Sequence, residues 1–367
     1  MDPHTVFCPN TTCPATGHSG EGNIKVHSRQ PERYRCDVCR KTFGARKGTP
    51  LYRRRTPEAT IVMVLTLVAY GCPIAAIEAA FGFQRRTVQQ WVDAAGEHCE
   101  QIHEHLVLKP RDLAHVQADE LRVKAQGSIV WMAMAIMVPT RLWLGGAISP
   151  SRDTTLIRRL VAYVRACASP EHPLLVATDG LVTYAKAFGK AFRSKHYTGR
   201  VGAPRLIAWP KVVIGQVIKR YERRRVVDVE RRLKRGSFSQ LRSLLDRTQG
   251  AGGVLNTAYI ERLNATFRAR LAVLVRRSRG LARRHRRLHA GMYLVGTVYN
   301  FCCYHASLST TASAPSRTPA MAAGLTSHRW SMAEVLEYQV PGTRWQPPKR
   351  RGRRSKAMQQ LIDRWAA

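Results

Sequence analysis

Acidic residues are scarce in this sequence. Its 367 residues contain 24 Asp and Glu against 60 Lys and Arg, which gives a formal net charge of +36 at pH 7. A charge of this size opposes folding and indicates a polyanionic partner. Nucleic acid is the first candidate. An anionic membrane surface is the second, and it is disfavoured because the basic residues are spread over the whole chain rather than along one amphipathic helix.

Long hydrophobic runs are also lacking. The apolar run 129–138 has half the length that a membrane span needs, and residues 61–83 are interrupted by Gly71, Pro73 and Glu78. Residues 1–28 are polar and contain cysteine, unlike a secretory signal. We therefore expect a soluble protein with no membrane contact. The nine cysteines, an odd number, favour a reducing compartment over a disulfide framework.

Two close pairs of cysteines predict a zinc-binding segment over residues 1–52. The four residues are Cys8, Cys13, Cys36 and Cys39. Four thiolates in two short loops can supply a closed tetrahedral Zn²⁺ site, and such a structural site folds a segment that has almost no core. The first pair has four residues between its cysteines rather than two, so His18 or His27 could replace one ligand. The remaining alternative is four unrelated cysteines.

Three short helical patterns over residues 53–98 predict a helix-turn-helix DNA-binding domain. They run from Thr56, over 74–80, and from Gln84 to about Ala95. The third pattern presents side chains that can reach phosphates and base edges, namely Arg85, Arg86, Gln89 and Gln90. The alternative is a small helical bundle for protein contacts, which the basic charge disfavours.

Alternating strand and helix patterns predict an α/β domain over residues 108–305. The segments 115–124, 128–138 and 141–148 read as strands, 153–168 as an amphipathic helix, 172–179 as a buried strand and 184–192 as a helix. A basic β insertion is expected around 200–240, with ribbon strands at 212–218 and 226–229 that could track DNA.

The last part of the chain carries further basic residues. Arg276 and Arg277 open an arginine-rich stretch and are candidate DNA contacts. Residues 306–367 are predicted to form a Ser/Thr/Ala/Pro linker followed by a basic C-terminal tail.

Three carboxylates stand in settings suited to a shared site. Asp119 lies in the first strand of the α/β domain, and Asp179 ends its buried strand. Glu261 lies on a helix whose apolar residues recur every three or four positions. At about 100° per residue, Asn264 and Arg268 fall on the same face of that helix as Glu261.

The register of the first strand leaves a choice between two acids. Asp119 and Glu120 point to opposite faces, so we expect only one of them to join the site. Asp119 shares its parity with the apolar Leu121 and Val123 and is preferred, with Glu120 as the competitor.

Three clustered carboxylates suit phosphodiester chemistry. Such chemistry uses two divalent cations about 3.5–4 Å apart, one for the attacking oxygen and one for the leaving oxygen. Mg²⁺ takes oxygen ligands and keeps several waters, so a few carboxylates suffice to hold it. We therefore expect Mg²⁺, or Mn²⁺, at Asp119, Asp179 and Glu261.

Five segments resemble the DDE transposases of bacterial insertion sequences, specifically the insertion-sequence-one (IS-one) family. They are YRCDVCRKTF at 34–43, GTPL at 48–51, QADE at 117–120, TDG at 178–180 and NTAYIERLNATFR at 256–268. The resemblance covers nearly the whole chain, and the last segment is the most specific.

The resemblance implies an RNase H-like catalytic domain, with a mixed five-stranded sheet and flanking helices, behind a zinc-binding and helix-turn-helix part. It implies Mg²⁺-dependent cleavage and strand transfer at the terminal inverted repeats of the element. Asp119, Asp179 and Glu261 correspond to the metal-binding triad, with Asn264 and Arg268 as supporting residues. The implied partners are double-stranded DNA, from transposon ends and target, and further copies of the chain in a dimer or larger synaptic assembly at the bacterial nucleoid of the cytoplasm.

Two other functions remain open from the sequence. One is a non-catalytic DNA-binding regulator or repressor with a relict catalytic domain, which the complete set of three acids disfavours. The other is a domesticated nuclease that cuts DNA without joining it.

Overall fold

The computed structural model describes residues 2–125, 128–197, 199, 202–223, 225–274, 285–309, 316–349 and 352–366. The chain divides into two compact units, one formed by Met1–Ala59 with Leu336–Ala367 and the other by Thr60–Val335. In the described part of the chain, no helix has the length and apolar character needed to cross a membrane.

The first unit is built on a small antiparallel sheet. Its strands are β1 (Ile24–Arg29), β2 (Glu32–Cys36) and β3 (Thr42–Gly44), in the order β1-β2-β3. The rings of Tyr34 and Phe43 contact each other on neighbouring strands in a tilted arrangement, and both are buried beside the four cysteines. The core is small, as expected for a segment that relies on a metal site.

The C-terminal residues depart from the predicted linker and tail over 306–367. Residues 336–366 belong to the first unit, and Trp365 is buried in the cysteine-containing core with Leu361 packed against it. Because the last turns are amphipathic, they form a helix that covers an apolar surface. A reading based on basic charge and proline content overlooked this apolar face.

Three helices open the second unit at the predicted places. They are α1 (Glu58–Ala69), α2 (Ile74–Phe81) and α3 (Arg85–Leu106). The third helix continues well past its predicted end and buries Trp91, Cys99 and Ile102. At Gly96 a Cβ atom would come within 2.6 Å of the Ala290 backbone, so only glycine permits this close helix packing. The boundary expected near residue 98 therefore falls inside one continuous helix.

A six-stranded mixed sheet forms the centre of this unit. Its strands are β4 (His115–Ala125), β5 (Ser128–Met137), β6 (Trp143–Ser149), β7 (Leu174–Asp179), β10 (Val212–Glu222) and β11 (Arg225–Arg235). The order is β11-β10-β7-β4-β5-β6, in which β7 runs parallel to both β4 and β10 and the other pairs are antiparallel. A separate two-stranded sheet is formed by β8 (Arg193–His196) and β9 (Arg205–Ala208).

The sheet corrects two expectations. It has six strands rather than five, and the predicted ribbon at 212–229 is not an insertion beside it. Residues 212–217 are buried because β10 pairs with β7 on one side and β11 on the other. A mostly apolar run that is buried on both faces is typical of an interior strand, and β10 lies between the parallel β7 and the antiparallel β11.

Further helices follow in both units, and some of them carry residues of the candidate site. They are α4 (Thr154–Cys167), α5 (Val182–Ala191), α6 (Phe238–Gln249), α7 (Ala258–Arg270), α8 (His285–Phe301), α9 (Pro319–Ala322), α10 (Met332–Glu337) and, in the first unit, α11 (Lys356–Trp365). Gln117 fixes the start of α7 on β4: its Oε1 accepts from the backbone N–H groups of Tyr259 and Ile260, both at 3.0 Å. Its Nε2 donates to the Asn256 carbonyl at 2.8 Å.

Candidate catalytic and metal sites

An acidic cluster lies where β7 ends. The last pair between β4 and β7 is Ala118 with Thr178, so Asp119 and Asp179 follow directly on neighbouring parallel strands. Carboxylate oxygens of Asp119, Glu120 and Asp179 all lie within 4.8 Å of one another. Two of the three predicted acids therefore meet, and the competitor Glu120 joins them.

The presence of Glu120 corrects the expectation that only one acid of the pair joins the site. The two side chains do leave β4 on opposite faces, since Asp119 bonds to Asn264 of α7 and Glu120 to Tyr184 of α5. However, β7 ends at Asp179 while β4 continues to Ala125, so no residue of β7 pairs with β4 beyond Ala118. Both carboxylates can therefore approach the same space.

Asp119 is held in an environment that disfavours its charge. Its Oδ2 accepts a hydrogen bond of 2.8 Å from Asn264 Nδ2. Burial, followed by the charge of Glu120, raises its pKa from 3.8 to about 7, and the charges of Asp179 and Glu261 add to the effect. A cation at this position would relieve that repulsion.

Glu120 is the most buried of the acids, with 1% of its side chain exposed. Tyr184 Oη donates to its Oε2 at 2.8 Å, and Arg152 forms an ion pair with its other oxygen. Burial and the charge of Asp179 still raise its pKa, although Tyr184 and Arg152 oppose the shift. Glu120 is thus a fixed, enclosed group rather than an exposed ligand.

Arg152 joins two of the acids. Besides Glu120, it approaches Asp179 at 3.4 Å between Nη2 and Oδ2, and its guanidinium lies 5.2 Å from the Trp131 ring centroid. The other oxygen of Asp179 accepts from the Leu181 backbone N–H at 3.0 Å. This arginine supplies positive charge beside the cluster.

Glu261 stands next to the cluster but outside the 4.8 Å group. It lies in the first turn of α7, where Oε1 accepts from Thr257 Oγ1 at 2.6 Å and pairs with Lys219 of β10. Its charge nevertheless contributes to the raised pKa of Asp119. The predicted third acid is therefore close to the other two, with its carboxylate turned toward a lysine.

The two predicted supporting residues occupy different settings. Asn264 is buried and holds Asp119, while its own Oδ1 is buried without a hydrogen-bond partner among the described residues. Arg268 lies one turn further along α7 and is half-buried. Sequence reasoning assigned no role to Arg152, Tyr184 or Lys219. Of the three, only Tyr184 lies within a predicted element, the helix 184–192 that follows Asp179.

The acidic cluster is chemically suited to a divalent cation. Its ligand atoms are all carboxylate oxygens, which Mg²⁺ and Mn²⁺ prefer. The buried, repelling charges at Asp119 and Glu120 and the unpaired Oδ1 of Asn264 leave the site with an excess of acceptors. Lys219 and Arg152 partly balance this excess on either side.

The four predicted cysteines come together in the first unit. Their sulfur atoms lie within 4.8 Å of one another, at 3.7 Å for Cys8 and Cys39 and 3.9 Å for Cys13 and Cys36. Zinc bound to four sulfurs at about 2.3 Å gives sulfur–sulfur edges of about 3.8 Å, so the spacing fits a metal such as zinc. The described group contains no histidine, and four cysteines suffice without His18 or His27.

The thiols differ in how readily they ionise. Burial raises the pKa of Cys8 and raises that of Cys13 to about 12. Burial acts in the same direction on Cys39, but hydrogen bonds from the Lys41 backbone and the Asn10 side chain contribute to lowering its pKa to about 7. Zinc binding needs thiolates, so it would release protons chiefly from the more buried sulfurs.

The predicted DNA contacts on α3 are only partly available. Arg85, Arg86 and Gln90 are exposed at the start of the helix. Gln89 is half-buried and donates to Asp93 at 2.9 Å. The other two candidates, at positions 276 and 277, lie outside the described residues.

No protein-family model matches this chain, and no curated protein matches it.

Proposed function

We propose that this protein is a DDE-type DNA transposase, which cleaves and joins strands at the ends of its own insertion sequence. The observation that carries the proposal is the meeting of Asp119, Glu120 and Asp179 at the end of β7, beside the helix that bears Glu261. Buried, mutually repelling acids raise the free energy of a fold, which favours a functional reason for their position.

The arrangement of strands supports an RNase H-like catalytic domain. Five strands form a mixed sheet in the order β6-β5-β4-β7-β10, with β11 added at the edge. Asp119 lies within the central strand β4, and Asp179 ends the strand beside it. The two acids therefore sit on a rigid element, as precise positioning of a reacting group requires.

Asp119 and Asp179, with Glu261 after release from Lys219, would hold Mg²⁺ or Mn²⁺. When bound, these ions supply Lewis acidity toward the phosphodiester and its attacking and leaving oxygens. The protein groups do the positioning: Asn264 orients Asp119, and Gln117 holds α7 against β4. Arg268, on the Asn264 side of α7, is proposed to contact DNA phosphate.

The remaining parts are proposed to bind DNA. We assign α1–α3 as a helix-turn-helix whose exposed Arg85, Arg86 and Gln90 reach the transposon ends. The cysteine site would hold a structural Zn²⁺ in the first unit. The net charge of +36 supports binding of long DNA segments, and strand transfer requires at least two ends and a target.

Substitution of the acids tests this assignment. Asp119→Asn, Asp179→Asn and Glu261→Gln each remove a negative ligand and nearly preserve shape. We expect each to abolish cleavage and joining of DNA that carries the element ends, while binding of those ends persists in a gel-shift assay. The matched control is Asp228→Asn, because that acid is exposed on β11 and forms a long ion pair with Arg220 at 3.8 Å.

The same assay separates the competing functions. A regulator would bind the ends with no cleavage by the wild-type protein. A nuclease would cleave in an acid-dependent way and form no joined product. Cleavage that survives in all three variants would remove the basis of the proposal.

A further inference from the structure

A pocket lies on the side of α7 that faces away from the acidic cluster. Glu261 and Asn264 mark the face toward the cluster, whereas Arg262, Thr266 and Arg270 recur every four residues on the opposite face. That second stripe lines a cavity of about 170 Å³. The acidic cluster and this cavity are therefore separate sites on one helix.

The pocket is strongly basic. Arg141, Arg262 and Arg270 line it, together with His305, and no acidic residue is among its lining. In the described part of the chain, none of these three arginines forms an ion pair, in contrast to Arg152 at the acidic cluster. Three unbalanced guanidinium groups in one cavity favour an anion.

Arg141 lines the cavity and is held in place by its neighbours. Its backbone has φ of +59°, and its guanidinium stacks over the Tyr259 ring with 4.1 Å to the centroid. One nitrogen donates to the Val138 carbonyl, but Nε is buried without a hydrogen-bond partner among the described residues. The Tyr259 ring and the Val138 carbonyl therefore fix the position of this guanidinium at the wall of the cavity.

The pKa of His305, which also lines the cavity, agrees with a positive environment. Burial, followed by the charges of Arg141 and Arg262, lowers the pKa of His305. The local potential is therefore positive even without counting a protonated histidine.

The size of the cavity limits the ligand. Water occupies about 30 Å³ per molecule in the liquid, so a cavity of about 170 Å³ has room for roughly five waters. That is enough for a phosphate group with some water. Pockets that enclose a whole drug-sized ligand are larger, at about 300–1,000 Å³. A strand whose sugar and base remain outside the cavity fits better than an enclosed nucleotide.

We propose that this pocket binds a backbone phosphate of DNA, as a second DNA contact separate from the acidic cluster. That the ligand is DNA rather than free phosphate rests on the proposed function and on the net charge of the whole chain. Bidentate guanidinium groups of Arg141, Arg262 and Arg270 would donate to the phosphate oxygens, with Thr266 at the same wall. A strand held here would run along the side of α7 opposite the reacting strand.

Cys303 provides a reporter inside the pocket. Its half-buried sulfur accepts from Arg270 Nη1 at 3.1 Å and lines the cavity. The experiment measures the rate at which iodoacetamide alkylates Cys303 in the full-length protein, by peptide mass spectrometry. The rate is compared with no addition, with inorganic phosphate and with a short DNA duplex, at matched ionic strength.

We expect both phosphate and DNA to slow alkylation, with DNA acting at lower concentration. Arg262→Gln should raise the half-protecting concentration of each by about tenfold, since it removes charged hydrogen bonds. Arg262→Lys should retain part of the effect. The control Arg158→Gln removes an exposed arginine of α4 and should leave protection unchanged.

Three results would overturn the proposal. They are no protection by either probe, protection that Arg262→Gln leaves unaltered, and protection by inorganic phosphate alone, which would assign a small free anion instead. Asp119→Asn should leave protection intact. Loss of catalysis and loss of this phosphate site are therefore distinguishable.

Discussion

Replacing Asp119 with asparagine should raise the free energy of unfolding in the absence of Mg²⁺ and Mn²⁺, although it removes a proposed catalytic group. The Asp119 carboxyl is largely buried, and burial with the charge of Glu120 raises its pKa from 3.8 to about 7. An asparagine carries no charge, so this penalty disappears. It also keeps an oxygen that can accept from Asn264, which now donates to Asp119 at 2.8 Å.

The gain in stability of the Asp119→Asn variant should increase with pH. Because the folded-state pKa lies above the unfolded value, the folded protein binds the extra proton between pH 3.8 and about 7, and stability falls as pH rises through that range. The full difference between the folded and unfolded pKa values of Asp119 corresponds to about 4 kcal/mol above pH 7. Because relaxation of the site reduces this penalty, we expect the variant to gain about 2–4 kcal/mol at pH 8. At pH 5 the expected gain in stability is only about 1–2 kcal/mol.

Urea unfolding of the full-length protein, followed by tryptophan fluorescence, measures this gain. The buffers contain no added divalent cations and no chelator, which would strip a zinc site. Asp228→Asn is the control, since that acid is exposed and its neutralisation should change the free energy of unfolding little at either pH. The reasoning fails if the Asp119 variant is less stable than wild type at pH 8, or if its gain is equal at pH 5 and pH 8.

Three further predictions concern other parts of the chain. Cys13→Ser should reduce the zinc content of the purified protein below the expected one ion per chain and lower its melting temperature, because a metal bound to the four cysteines would stabilise the first unit; full zinc content would contradict this. Gln90→Ala should reduce discrimination between element ends and other DNA in competition binding, whereas Gln89→Ala should have less effect because Gln89 is occupied within α3. Lys219→Gln should lower the Mg²⁺ concentration needed for half-maximal activity several-fold, since it frees Glu261 to bind the ion; an unchanged requirement would show that this ion pair does not compete with metal.

Much of the fold was predictable because its signals are local. The α1–α3 helices and strands β4 to β7 appear near their expected places, since periodic apolar residues and breaks at glycine and proline act over a few residues. The cysteine cluster was predictable for the same reason, as two close pairs already restrict the sulfur positions.

The errors arose where distant segments meet. Whether β10 joins the main sheet depends on its pairing with β7, more than thirty residues earlier, and its apolar run alone fits a ribbon as well. Likewise, the amphipathic face of α11 gives no sign that Trp365 packs against the cysteine core. Long-range partners of this kind are not encoded in local periodicity.

The residues of the candidate site were also predictable only where their signal is local. The alternation of side chains correctly sent Asp119 and Glu120 to opposite faces, but it could not show that the neighbouring strand ends beside them. The pairing of Glu261 with Lys219 depends on rotamers and on a strand 42 residues away. Residues that balance charge in three dimensions, such as Arg152, are therefore the hardest to find from sequence.

Sequencing of DNA junctions tests whether the acidic cluster catalyses strand joining, as proposed. The purified protein would be incubated with Mg²⁺, a fragment carrying the ends of the proposed insertion sequence and a plasmid target. We predict covalent junctions between fragment 3′ ends and plasmid with the wild-type protein, and none with Asp179→Asn. Cut ends without junctions from the wild type, or equal numbers of junctions from the variant, would contradict the claim.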